Sequence, residues 1–343
     1  MGGDTEDIND YGDGIRCRSV LASGQRFEIQ TRSDPCDPAA PAPNHDCYYA
    51  RPATATVHDR SLLGRHTATV RGLWKHVQPI FLLPGAAMSV FGALLAAEFS
   101  VGPAIGHVLA VSLAVYVAHL KDGYVDYYVR GEDETNPLSP RALRLAIGLA
   151  TAGATACIGF LWLRAAAELV AVVLTVPLVV LGHLHAPSLD TGPVTGTADY
   201  PLGIVLAMLG GYAAQTGTVS AAVIAVCLAL FPLLVGTNVL LDIVDYRHDR
   251  RLSKRTIPVA LGPSRARFVA IGFIFASVGL LGVAIALGAL SQRVAVAGIV
   301  PACAGTWCLT GRYSADRAVR VLIGATYAFA GVLFLAIQPD FFI

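Results

Sequence analysis

The sequence predicts an all-α polytopic membrane protein, a bundle of nine transmembrane helices around a central cavity. Three observations predict it. Hydrophobic residues make up 55% of the 343 positions and charged residues 14%, with a mean hydropathy of +0.58. A soluble domain carries about 25% charged residues. Apolar runs of membrane length then follow one another from residue 77 almost to the C-terminus, and the basic residues between them collect on alternate loops. The net charge of +1 supplies no global field of the kind that draws nucleic acid.

Residues 1–70 come first and are polar, with scattered Pro, Asp, Gly and Arg and no sustained period. The stretch from Ser33 to Pro43 carries four Pro, and the whole region is expected to be a disordered extension. No charged segment leads into an early apolar core, so no cleavable signal peptide is expected. Cys17, Cys36 and Cys47 lie here, near His45, without the paired spacing of a zinc site. Cys157, Cys227, Cys303 and Cys308 fall in apolar runs and read as small buried hydrophobes.

The transmembrane region is expected over 71–343. About 20 apolar residues cross a bilayer, which places nine spans at roughly 77–98, 103–120, 142–162, 165–184, 201–216, 219–241, 265–288, 293–311 and 318–338. The fifth is short and Gly-rich, and Pro177 is placed to kink the fourth. With the N-terminus inside, one set of loops holds Lys121, Arg130, Arg141, Arg144, Arg247, Arg250, Arg251, Lys254, Arg255, Arg265, Arg267, Arg312, Arg317 and Arg320. The other set holds only Arg164 and Arg293. This asymmetry predicts a multi-pass protein of the cell membrane with its N-terminus in the cytoplasm.

The same count puts two acidic clusters on one, cytoplasmic, side. Asp122 and Asp126 are spaced i, i+4 just past the second span. Asp242, Asp245 and Asp249 are spaced i, i+3, i+7 just past the sixth. Each set occupies one helical face. Carboxylates are costly near a bilayer, so such clusters point to function. Val125-Asp126-Tyr127 and Val244-Asp245-Tyr246 suggest an internal repeat. Mg²⁺ prefers one or two carboxylates together with phosphate oxygens and water. Two acidic faces can therefore present Mg²⁺ to a diphosphate, with Lys121, Arg130, Lys254 and Arg255 neutralising the remaining oxygens. Tyr124, Tyr127 and Tyr128 offer ring faces to a cation, although Tyr127 and Tyr128 read better as an interfacial belt.

Here the residues resemble the UbiA-type intramembrane prenyltransferases. Asp242-Ile243-Val244-Asp245-Tyr246-Arg247-His248-Asp249 matches that superfamily's second DxxDxxxD motif, and Lys254-Arg255-Thr256-Ile257-Pro258-Val259-Ala260-Leu261-Gly262 is similar to its KRTxPVxLG tail. In the first motif Asp122 and Asp126 stand as the last two acids and His119 takes the place of the first. The run Asp126–Asp133 is similar to the 1,4-dihydroxy-2-naphthoate polyprenyltransferase branch, one residue longer. In His185-Ala186-Pro187-Ser188-Leu189-Asp190, His185 stands where the family has Tyr and Asp190 where it has Lys. The resemblance covers about residues 75–340.

It implies a Mg²⁺-dependent transferase that moves a polyprenyl group from a prenyl diphosphate to a lipophilic acceptor, a quinone precursor or a lipid. Asp122, Asp126, Asp242, Asp245 and Asp249 would hold Mg²⁺ through the diphosphate, Lys121, Arg130, Lys254 and Arg255 would bind the diphosphate, and His119 and His185 would modulate the site. A terpene cyclase of the same superfamily is an alternative. A transporter with a cation site is a second, from another class. Transport sites lie near the bilayer midplane, whereas these acids lie at span ends.

Overall fold

The computed structural model describes residues 8–11, 15–22, 25–32, 62–164, 168–252 and 254–338. The chain divides into two units, Met1–His58 and Asp59–Ile343. In the first, β1 (Ile8–Tyr11), β2 (Ile15–Ala22) and β3 (Gln25–Arg32) pair in order as an antiparallel sheet, with Cys17 opposite Asn9 and Gln30. Paired strands therefore occur where a disordered extension is expected. The reason is local. Ile15, Val20, Phe27, Ile29 and Thr31 are strand formers, and a short period-two pattern is easily missed among polar residues. Cys36, Cys47 and His45 lie outside the described residues.

Among the described residues the regular structure of the second unit is all helical. It begins with α1 (Leu62–Lys75), earlier than any expected span. Val70 and Trp74 are exposed on it, and Leu73 packs inward, as in a helix lying along an interface. The chain then bends by 68° into α2 (Pro79–Leu94). Next come α3 (Val101–Val125), α4 (Pro140–Arg164), α5 (Glu168–Leu184), α6 (Thr195–Thr216), α7 (Ala221–Arg251), the short α8 (Ile257–Leu261), α9 (Pro263–Ala286), α10 (Ile299–Leu309) and α11 (Ala315–Ile337). Each of the nine expected spans has a helical counterpart, the eighth being a 3₁₀ segment, Gln292–Gly298, continued by α10. Among the described residues six helices are long and apolar enough to cross a membrane, or seven if the bent α1–α2 pair forms one span.

Close helix crossings use small residues. A side chain at Gly92 in α2 would lie 2.0 Å from the Met208 carbonyl oxygen, and one at Gly211 in α6 would lie 2.1 Å from that of Ser89. Bare backbone lets α2 and α6 approach this closely. The main core lies around α6, α7, α9 and α11, where Leu230, Leu233, Leu240, Ile274 and Phe329 are fully buried. A second cluster joins α3 and α4 through Val117, Leu120, Leu138 and Leu143.

Two helices are longer than the hydrocarbon core of a bilayer. At about 1.5 Å per residue, the 31 residues of α7 extend roughly 46 Å against a hydrocarbon core of roughly 30 Å. Its C-terminal overhang carries Asp242, Asp245 and Asp249. The overhang of α3 ends in a π-helical turn, Asp126–Arg130, stopped by Gly131 in the left-handed region at φ 67°. This is the stretch that is one residue longer than the family resemblance implies, and π turns are a common way to accommodate an extra residue at functional sites.

Candidate active site

The C-terminal ends of α3, α5 and α7 meet at one end of the bundle. Arg130 makes a forked contact with Asp190, at 2.5 Å from Nη1 to Oδ2 and 2.9 Å from Nη2 to Oδ1. It also lies 3.4 Å from Asp126 and 3.7 Å from Glu132. Lys254 Nζ lies 3.4 Å from Glu132 and 3.8 Å from Asp190. Segments following three different helices are thus tied by one ionic network. Burial works against the Lys254 charge, but Glu132, Asp126 and Asp190 outweigh it and hold the ammonium above the ordinary lysine range.

Behind this network is a cavity of about 270 Å³. Its polar end carries His119, Asp122, His185, Asp199 and Asn238. Its body is apolar, with Val111, Val115, Leu178, Leu181 and Ile204. Phe81 and Tyr200 supply its aromatic wall, their rings edge to face at 5.7 Å. Tyr200 is fixed there by a hydrogen bond from its hydroxyl to the Phe81 carbonyl, 3.0 Å.

The expected site residues divide among distinct settings. Asp122 is half-buried, lines the cavity and, among the described residues, accepts no hydrogen bond. Asp126 belongs to the ionic network. Asp242 accepts a hydrogen bond from Thr197 of α6 at 3.2 Å. Asp245 is exposed. Asp249 is buried and accepts from the Thr256 hydroxyl at 3.1 Å, while its carbonyl accepts the Lys254 N–H at 3.1 Å. Asp249 therefore shapes the loop that carries Lys254. Lys121 donates to the His183 carbonyl and stands apart from the acids. The Arg255 side chain is exposed, and its N–H donates to the Thr191 carbonyl at 3.0 Å. His119 is buried in the cavity wall with no partner for Nδ1. Tyr124, Tyr127 and Tyr128 pack on one another, with centroids 5.6 and 4.7 Å apart, and do not line the cavity.

Thr197 and Asp199 lie outside the motifs, and Glu132 and Asn238 flank them without being among the expected site residues. Asn238 has a signal of a kind, since it precedes the second motif by one helical turn. Its Nδ2 donates to the Thr197 carbonyl at 3.1 Å and so holds α6 against α7. Asp199 has no such signal, because its partner His185 lies 14 residues earlier across a loop.

The donor set suits a hard divalent cation. Carboxylates gather at an end where three helix C-termini already point negative charge, and Arg130 and Lys254 offset only part of it. Among the described residues no three His, Cys, Asp or Glu groups converge to hold an ion unaided.

Comparison with known proteins bears on both fold and family. The fold resembles a structure described as a digeranylgeranylglyceryl phosphate synthase in membranes, with a TM-score of 0.64 and 13% identity over 79% of this chain and 99% of that one. It also resembles a UbiA homologue from Archaeoglobus fulgidus bound to GPP and Mg²⁺, with a TM-score of 0.60 and 19% identity over 79% and 99%. A third is the apo UbiA homologue from Aeropyrum pernix K1, with a TM-score of 0.54 and 17% identity over 75% and 96%. No curated protein sequence matches this chain. The sequence pattern of the UbiA prenyltransferase family matches residues 80–330, which takes in every helix from α2 to most of α11. On that match the chain is an integral membrane protein belonging to the UbiA prenyltransferase family.

Proposed function

We propose that the protein transfers a polyprenyl group from a prenyl diphosphate to a lipophilic acceptor within the membrane, with Mg²⁺ as cofactor. The observation that carries this reading is one cavity with an acidic, cation-seeking end and an apolar body. The bound state of the Archaeoglobus relative, with GPP and Mg²⁺, supports it. Asp122, Asp126, Asp242 and Asp245 would hold the metal together with the diphosphate. Bound there, Mg²⁺ would neutralise charge growing on the leaving diphosphate.

The chain's own residues do the rest. Arg130 and Lys254 bind the diphosphate oxygens, and Asp249 positions Lys254 through its loop. Val111, Leu178 and Ile204 exclude water from the first isoprene units. The cavity is slightly smaller than the roughly 300–1,000 Å³ of drug-sized sites, so a long chain continues toward lipid. Phe81 and Tyr200 turn aromatic surface toward positive charge at the allylic carbon.

The test uses the full chain in lipid nanodiscs with labelled geranylgeranyl diphosphate and a total lipid extract of the source cells. Diphosphate release with formation of a prenylated lipid or quinone precursor, abolished by EDTA and restored by Mg²⁺, is the expected result. Absence of diphosphate release overturns the reading. A cyclase is the second reading, favoured by the buried His119 with its unpartnered Nδ1 in the cavity wall. It is distinguished by a cyclic hydrocarbon formed without acceptor.

A further inference from the structure

One pair of side chains in the cavity is not among the residues proposed to hold metal or diphosphate. His185 Nδ1 lies 2.6 Å from Asp199 Oδ2. The other oxygen of Asp199 accepts the Tyr200 N–H, also at 2.6 Å. Both carboxylate oxygens are therefore committed. The Asp199 side chain is 6% exposed and that of His185 33%, so the carboxylate is the buried member and the imidazole the one a ligand meets.

The chemistry of the pair follows from its geometry. An ionised carboxylate only accepts, which assigns a proton to Nδ1, so that in the neutral imidazole the lone pair lies on Nε2. Among the described residues Nε2 has no hydrogen-bond partner. Leu178, Leu181, Gly182 and His185 are spaced i, i+3, i+4, i+7, and all four line the cavity. His185 thus extends the apolar wall of α5 to the point where it meets Asp122 and Asn238. A prenyl diphosphate with its head at the acids and its chain along that wall has its reacting carbon at this junction.

We infer that His185, oriented by Asp199, takes the proton that the acceptor loses when it is prenylated. This rests on the prenyl-transfer reading and narrows it: the acceptor reacts through a group that carries a removable proton, a hydroxyl or an aromatic C–H. The allylic C–O bond breaks with its electron pair leaving on the diphosphate. An electron pair of the acceptor forms the new bond to that carbon. The acceptor's proton passes to Nε2, Asp199 balances the imidazolium, and the proton then leaves to water. His185 is the catalytic residue and Asp199 a positioning residue.

The nanodisc assay tests this, with binding of the unreactive analogue geranylgeranyl S-thiolodiphosphate in Mg²⁺ measured beside it. His185→Gly should lower product formation by about 10²-fold or more, the scale of a lost general base, while leaving analogue binding unchanged. Added imidazole should restore much of the loss in His185→Gly but none in His185→Gln, whose side chain fills the space. Asp199→Asn should lower product formation by about 10- to 100-fold with binding intact, as is typical when a group orienting a functional histidine is removed. Native product formation by folded His185→Gln overturns the assignment, as does a His185→Gly defect that imidazole leaves unchanged or that tracks lost binding. If the native chain itself releases no diphosphate, prenyl transfer fails and this inference with it. If the native chain turns over and His185→Gln does so equally, only the inference falls.

Discussion

At the scale of single residues, the acids at the cavity and the cations facing them have different tolerances. Asp122→Asn keeps size and removes charge, and Asp122 has no hydrogen-bond partner to lose. It should cut Mg²⁺-dependent diphosphate release by about 10²-fold, the scale of a lost electrostatic contact, with no change in thermal stability. Arg130→Lys keeps charge but cannot reproduce the fork onto Asp190. It should weaken analogue binding and lower the melting temperature together, both measurable in nanodiscs. The sequence carried the acids themselves, because i, i+4 and i, i+3, i+7 spacing is a local pattern. It did not carry their partners. Asp190 and Arg130 are 60 residues apart, and His185 meets Asp199 across a loop, so neither pair leaves a periodic trace. Proximity to Asp122 in the chain suggests a shared site, whereas the Lys121 side chain donates to the His183 carbonyl of α5.

At the scale of elements, hydrophobic runs gave the helices and missed what happens at their ends. The expected second and sixth spans stop at 120 and 241, yet α3 with its π turn continues to Arg130 and α7 to Arg251. Polar residues past a span read as loop when they are the solvated continuation of a helix. α1 was missed for a similar reason, since an interfacial helix needs only one apolar face. The α2–α6 crossing is the element most open to direct test. Gly211→Val would drive a side chain into the Ser89 carbonyl, where even a Cβ lies 2.1 Å away. It should cost about 1–3 kcal/mol or more, as overpacking does, and appear as a lower melting temperature in detergent and a reduced folded yield. Gly203→Val on the same helix, where nothing lies within 4 Å of a Cβ, is the control and should be close to neutral.

At the scale of the whole molecule, both acidic overhangs emerge at one end, as the Lys254–Glu132 contact of 3.4 Å requires. Cysteines introduced at Ser139 and His248, both exposed, should react with an impermeant thiol reagent from the same side of sealed vesicles in a background stripped of native Cys. Labelling from the cytoplasmic side is the outcome that the loop charge predicts. Deletion of residues 1–58, the separate first unit, should leave insertion and turnover intact. Loss of turnover in a normally inserted truncation would give that unit a role in the reaction. The Arg130–Asp190 fork has one more consequence. Asp190 sets the chain's own anion on the guanidinium that a diphosphate would need. Any incoming headgroup competes with a tethered rival, and any departing one is replaced without waiting for solvent ions. A reaction that leaves its most highly charged product in the cavity gains from such a rival, because clearing the cavity otherwise sets the pace. Asp190→Asn should therefore make inorganic diphosphate a stronger product inhibitor, by about tenfold if the rival is worth roughly 1.4 kcal/mol, and slow steady turnover while leaving the first turnover fast.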